Sequence, residues 1–205
     1  MTISLNSIFK LHKDLGYVNF SDVVEESSGH KLLAIDINDP NDKELIEELG
    51  KSLGAYTKYA TSQGARFHGN RINDVGKNFE NSIMQAIDKT VIKIEKLGRM
   101  GYPDFKLTQT SGNVSFLEIK VSGAKDSDSS SLRTFYYSSP AKIDSDARHL
   151  LLQVKMEEET SKYWKVLSWE LRDLISLKVQ LKTEFNAGSR EISAANLLKQ
   201  STSNQ

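Results

Sequence analysis

Three ionisable side chains that could do chemistry together lie within one stretch, GYPDFKLTQTSGNVSFLEIKV, residues 101–121. Asp104 follows Pro103, and after thirteen intervening residues come Glu118, Ile119 and Lys120. On a strand, side chains two apart share a face and stand roughly 6.5–7 Å apart along it. Glu118 and Lys120 therefore point one way, and Leu117, Ile119 and Val121 the other. The turn-rich Ser111-Gly112-Asn113 predicts a hairpin whose first strand runs from Asp104 to Gln109. A three-residue loop there, with Asn113 in the left-handed position, pairs Thr110 with Val114 and sets Asp104 opposite Lys120. Asp104, Glu118 and Lys120 then converge. A two-residue loop would shift the register by one and turn Asp104 away.

Such a group suits one job. Two carboxylates beside a backbone carbonyl, that of Ile119, make a hard, oxygen-only site for Mg2+. A lysine next to it can orient or deprotonate a water and hold a phosphate oxygen. That is the chemistry of phosphodiester hydrolysis.

The pattern Pro103-Asp104, thirteen residues, Glu118-Ile119-Lys120 resembles the PD-(D/E)xK nuclease superfamily, and most of all its type II restriction endonucleases. The resemblance implies an α/β fold (α+β, mixed sheet) with an αβββαβ core and an N-terminal helical part. It implies Mg2+ held by Asp104 and Glu118, and an attacking water positioned by Lys120. In-line displacement of the 3′ oxygen would then leave a 5′-phosphate. In this superfamily a helix just before the hairpin often carries a glutamate that adds to the metal site. Gly76-Lys77-Asn78-Phe79-Glu80 looks like that element, which would make Glu80 a further or water-mediated ligand. The implied substrate is double-stranded DNA, cut by a homodimer in which each subunit takes one strand, with a companion methyltransferase in the host. The same core also serves Holliday-junction resolvases and repair nucleases. A DNA-binding module that has lost cutting is the non-enzymatic alternative, and the intact Asp, Glu and Lys set speaks against it.

The elements that must position these residues are legible as patterns. Val75, Phe79, Ile83, Ala86, Ile87, Val91 and Ile94 make an apolar stripe, predicting a long helix from Asp74 to Leu97 with Asp74 as its cap. Asp39-Pro40-Asn41-Asp42 starts another helix, with Leu45, Ile46, Leu49, Leu53, Tyr56 and Ala60 at helical spacing. A short helix is expected from Ile3 to Leu15, followed by an ill-defined passage through Ser27-Ser28-Gly29. After Lys120 come a polar loop, a third strand at Leu132–Tyr137 and a short helix from Ser138 to Asp146. His149–Lys155 reads as a strand buried on both faces. A charged turn at Glu157–Lys162, strands at Tyr163–Trp169 and Leu177–Phe185 and a tail helix at Glu191–Lys199 complete the expectation. Together these predict a single domain over residues 1–205: a mostly helical part at 1–65, a catalytic core at 66–185 and a tail at 186–205.

Composition bounds the rest. The 205 residues contain 27 basic and 27 acidic side chains, so net charge neither demands nor forbids DNA. The charge is uneven, however: residues 61–100 carry seven basic and four acidic side chains, whereas residues 1–60 carry six and ten. The glycine-rich basic loop that contains Arg66, His68, Asn70 and Arg71 could touch phosphates or a minor groove. Lys125 and Arg133 flank the polar loop after Lys120, where the resemblance implies sequence-reading contacts. The chain has no cysteine, which excludes disulfides and thiolate metal sites. It shows no secretion signal and no apolar run of membrane-spanning length, so a cytoplasmic protein without membrane contact is expected.

Overall fold

A computed structural model describes residues 17–62, 64, 67–70, 72–88, 90–98, 101–124 and 140–180. In chain order the elements are β1 (Tyr17–Asn19), α1 (Phe20–Ser28), β2 (Leu32–Leu33), α2 (Pro40–Ser62), β3 (Phe67–His68), α3 (Ile72–Ile87), β4 (Lys93–Lys96), β5 (Phe105–Thr108), β6 (Val114–Gly123), a 3-10 turn (Pro140–Lys142), β7 (Ala147–Thr160), β8 (Tyr163–Asp173) and β9 (Lys178–Gln180). The chain divides into two units, Asn19–Lys178 and the terminal stretches Met1–Val18 with Val179–Gln205. Within the terminal unit the described part is a short pairing of β1 with β9.

The larger unit is built on a mixed sheet ordered β3-β8-β7-β6-β5-β4, with β2 added beside β7. β6 and β7 run parallel over nine residue pairs, Ser115↔Arg148 to Gly123↔Met156, while β4, β5 and β6 form an antiparallel meander. This is the α/β architecture expected, with one reassignment. The predicted helix Asp74–Leu97 is instead Ile72–Ile87, so Asp74 lies in its first turn rather than at its cap. Beyond it, Lys93–Lys96 is a strand paired with Phe105–Thr108. Ile94, read as part of the helical stripe, is buried from β4 instead, and Val91 is exposed. The three strands that follow the helix are therefore β4, β5 and β6. The predicted strand Leu132–Tyr137 lies outside the described residues, as do the helices at Ile3–Leu15 and Glu191–Lys199.

Helical spacing predicts the buried faces well. Leu45, Leu49 and Leu53 of α2 and Val75, Phe79, Ile83 and Ile87 of α3 recur every fourth residue and are almost wholly buried. They pack on Leu117, Ile119 and Val121 of β6 and on Leu150, Leu152 and Val154 of β7. The start of α2 is held as its sequence suggests: Asp39 Oδ1 accepts the Asn41 N–H at 2.7 Å. Asp42, fully buried, meets Arg148 of β7 with Oδ1 and Nε 2.7 Å apart and accepts the Asp36 N–H at 2.9 Å. The opposite face of the sheet carries an aromatic cluster in which Phe20 meets Tyr102 edge-on at 5.3 Å and Phe116 lies 5.1 Å from His149. Covered on both sides, the central strands read as near-continuous apolar runs.

Other departures have local causes. α1 falls in the passage read as ill-defined. Only Phe20 and Val24 of it are buried, and Asn19 makes no side-chain cap. Its one signal was Gly29, left-handed at φ 77°, whose N–H closes the helix on Glu25 O. The stretch Glu157–Thr160, read as a turn, continues β7, and the reversal occurs at Ser161-Lys162. The short helix expected at Ser138–Asp146 is only the single turn Pro140–Lys142 among the described residues.

The hairpin also differs in register. Its loop is three residues long as predicted, but it sits one residue earlier. Gln109 N–H donates to Asn113 O at 3.0 Å, Gly112 N–H donates to Gln109 O at 2.9 Å, and Gly112 takes the left-handed conformation at φ 87°. Glycine meets no steric penalty there, so it outcompetes Asn113 for that position. Phe105 consequently pairs with Leu117 and Thr108 with Val114. Carried one residue further, this register sets Asp104 across from Glu118 rather than Lys120. The shift is two residues, which preserves the face, so Asp104 stays on the side of Glu118 and Lys120.

Candidate active site

β5 and β6 bring Asp104, Glu118 and Lys120 together at one edge of a cleft, and α3 forms the other wall. The cleft encloses about 280 Å³, with Ile72, Gly76, Lys77 and Glu80 on the helix side and Asp104, Ile119, Lys120 and Val121 on the strand side. α3 lies directly on β6 here: a methyl group added at Gly76 would meet Val121 at 3.7 Å. Asp104 is held by backbone on both sides. Its N–H donates to Leu117 O at 3.2 Å, its carbonyl accepts from Leu97, and its Oδ2 accepts the Ile119 N–H at 2.9 Å.

Glu118 sits behind the cleft wall, 3% exposed. Its Oε1 accepts from the Lys120 ammonium, while Oε2 is buried with no hydrogen-bond partner. Burial pushes the Glu118 carboxyl up to about 7. The charge of Asp104 adds to that rise and Lys120 opposes it. Glu80 lies on the helix wall with Oε2 at 3.1 Å from Lys96 Nζ. Burial raises its pKa, partly offset by that hydrogen bond. Among the described residues no three carboxylates or histidines gather closely enough to cage a metal by themselves. Glu80 thus shares the cleft with Asp104 but is held by a lysine of β4.

The donor set nevertheless fits a hard divalent cation. All the candidate ligands are oxygens, and an orphaned carboxylate oxygen in a buried position is costly unless a cation takes it up. Asp104 and Glu118 could hold such an ion, with the Ile119 carbonyl between Glu118 and Lys120 in sequence.

Two lysines here escaped sequence reading. Lys77 lines the cleft one turn before Glu80; its only signal was a spacing of three residues from Glu80, which puts both on one helix face. Lys142 is buried and donates to Gly101 O and, at 2.8 Å, to Pro103 O, clamping the turn that presents Asp104. Burial lowers its pKa, while Asp104 and Glu118 pull it up. No local pattern marks Lys142, since tertiary folding alone brings it to Pro103.

Of the other candidates, His68 and Asn70 are among the described residues. His68 is exposed on β3, its ring 5.2 Å from that of Tyr163, and its carbonyl accepts from Asn78 of α3 at 2.9 Å. Asn70 is exposed just beyond it. Arg66, Arg71, Lys125 and Arg133 lie outside the described residues. Lys106 of β5 is engaged by Asp144 at 2.6 Å. His149 is a core residue: it is fully buried, its Nδ1 lies 2.5 Å from the Tyr102 hydroxyl, and burial pushes its pKa down to about 3.

A carboxylate pair and a lysine on the hairpin of a mixed sheet, faced by a helix, is the layout expected of a nuclease, and comparison with known proteins places the chain among the type II restriction endonucleases, site-specific deoxyribonucleases. Within that class it belongs to the type II restriction enzyme MjaV family, whose model matches residues 15–196. The type II restriction enzyme MjaV of Methanocaldococcus jannaschii is 32% identical over 203 residues, covering 88% of this chain and 87% of that protein. A crystal structure of the restriction endonuclease BglI bound to its DNA recognition sequence overlaps 64% of this chain and 67% of its own, at 11% identity and a TM-score of 0.34. No helix among the described residues is long and apolar enough to cross a membrane.

Proposed function

We propose that the cleft between α3 and the β5–β6 hairpin is the catalytic centre, and that it hydrolyses duplex DNA with Mg2+ to leave 5′-phosphate ends. Asp104, Glu118 and the Ile119 carbonyl would hold the ion, with Glu80 as a further or water-mediated ligand. When bound, Mg2+ supplies positive charge against the charge that develops on the scissile phosphate. Lys120, anchored by Glu118, directs its ammonium so that the attacking water lies in line with the departing 3′ oxygen. Ile119 N–H keeps Asp104 from rotating out of the cleft. The single observation that carries this reading is the buried, unpartnered Oε2 of Glu118 beside the Lys120 ammonium.

The same reading includes a homodimer with one cleft per strand, and a methyltransferase of matching specificity that protects the host genome. His68 and Asn70, with Arg66, Arg71, Lys125 and Arg133, are its candidate DNA contacts. The deciding experiment is digestion of long unmethylated duplex DNA with Mg2+. Discrete fragments from the native chain, abolished by EDTA and by Asp104→Ala or Lys120→Ala, are expected. Equal cutting by either variant would move the catalytic centre elsewhere.

A further inference from the structure

We propose that Lys77 is a DNA-phosphate contact on the helix wall of the cleft, an inference that rests on the catalytic reading of that cleft. Duplex DNA entering it brings phosphates toward Glu80 and Asp104, both on the cleft wall, and toward the buried Glu118 behind. Like charges repel, so cations must offset them. Two of the nearby lysines are already committed: Lys120 to Glu118 and Lys96 to Glu80. Lys77 differs. Its side chain is exposed, it lines the cleft, and among the described residues no acidic partner holds its ammonium.

Its placement suits a phosphate. Gly76, next to it, faces Val121 of β6 at ordinary contact distance, and Gly76, Lys77 and Val121 all line the cleft. Lys77 and Glu80, three residues apart, present adjacent charges of opposite sign on one helix face, one suited to a phosphate and one to a cation. A lysine ammonium acts toward phosphate as a mobile point charge, which tolerates any base sequence. Lys77 therefore contributes to holding the backbone near the scissile bond and not to choosing the site.

Counterion release makes this measurable, because each phosphate neutralised steepens the dependence of log K on log[salt] by about 0.9. The test is binding of a labelled 30-base-pair duplex to the full chain in EDTA, from 50 to 300 mM KCl, for the native protein, Lys77→Gln and Lys77→Arg. Lys77→Gln should lower the salt slope by about 0.9 per protomer and weaken binding roughly eightfold at 0.1 M salt, equally on unrelated sequences. Lys77→Arg should restore both. An unchanged slope in Lys77→Gln overturns the proposal, and so does a loss confined to one sequence. If the slope is unchanged while Asp104→Ala still abolishes cutting, Lys77 alone fails; if Asp104→Ala cuts normally, the catalytic reading of the cleft fails with it.

Discussion

Asp104 Oδ2 accepts the backbone N–H of Ile119 at 2.9 Å, so the carboxylate of one strand is fastened to the residue lying between Glu118 and Lys120 on the next. The contact does more than orient a side chain. It ties the positions of all three ionisable groups to one another, because a hairpin whose strands slipped by one residue would lose both this bond and their common face.

Charge and hydrogen bonding at Asp104 should therefore separate by substitution. Asp104→Asn keeps an oxygen for the Ile119 N–H but removes the charge that a cation needs. It should melt close to the native protein yet cut about a thousandfold more slowly, the several kcal/mol expected of a lost charge stabiliser. Asp104→Ala should lose both properties. Thermal melts alongside single-turnover cleavage distinguish the two, and an Asn variant that cuts at the native rate removes Asp104 from the metal site.

Glu118 predicts a stability that varies with pH. Its folded pKa of about 7 lies above the ordinary 4.5, so between those values the folded state binds the extra proton and the unfolded state does not. Its contribution is fully present below about pH 4.5 and is lost as pH rises through 7. The melting temperature of Glu118→Gln relative to the native protein should thus climb between pH 5 and 8 in EDTA. Added Mg2+ should stabilise the native chain most at the alkaline end and Glu118→Gln much less. A flat difference across that range contradicts the buried carboxylate.

Glu80 rests against Lys96, 3.1 Å away, so in the proposed mechanism it would be a supporting ligand. We expect Glu80→Gln to raise the Mg2+ concentration needed for half-maximal cutting by about 10–100-fold, with substantial activity returning at saturation. A titration of cleavage rate against Mg2+ reads this directly. No change in the midpoint would leave Glu80 as a partner of Lys96 alone.

The loop supplies a purely conformational test. Gly112 stands at φ 87°, and nothing lies within 4 Å of where a side chain would begin. Gly112→Val should cost about 1–2 kcal/mol from backbone strain alone, and Gly112→Asn distinctly less. Urea unfolding with an unchanged m-value checks both. A neutral valine variant would mean that the turn had rearranged.

Local pattern reached a long way into this protein. The period-two alternation of Leu117, Ile119 and Val121 against Phe116, Glu118 and Lys120, and the four-residue recurrence in α2 and α3, are properties of short windows. Burial followed the recurrence in the helices, whereas in β6 both faces are covered from Ser115 to Ile119. The resemblance carried by Pro103-Asp104 and Glu118-Ile119-Lys120 pointed to the class to which the chain belongs. Where signals competed locally, reading faltered: Ile94 continues a helical stripe on paper, yet pairing with Leu107 and burial against the sheet draw it into β4.

What the amino-acid sequence by itself determined was which residues share a face, because that depends only on the spacing of neighbours along one strand or helix. What only the tertiary structure decided was who stands beside whom across elements: Asp104 across from Glu118, Glu80 against Lys96, and Lys142 on the carbonyls of Gly101 and Pro103. Those contacts join residues far apart along the chain. Packing of whole elements, together with the cost of burying charge without a partner, selects them, and no local window holds that information.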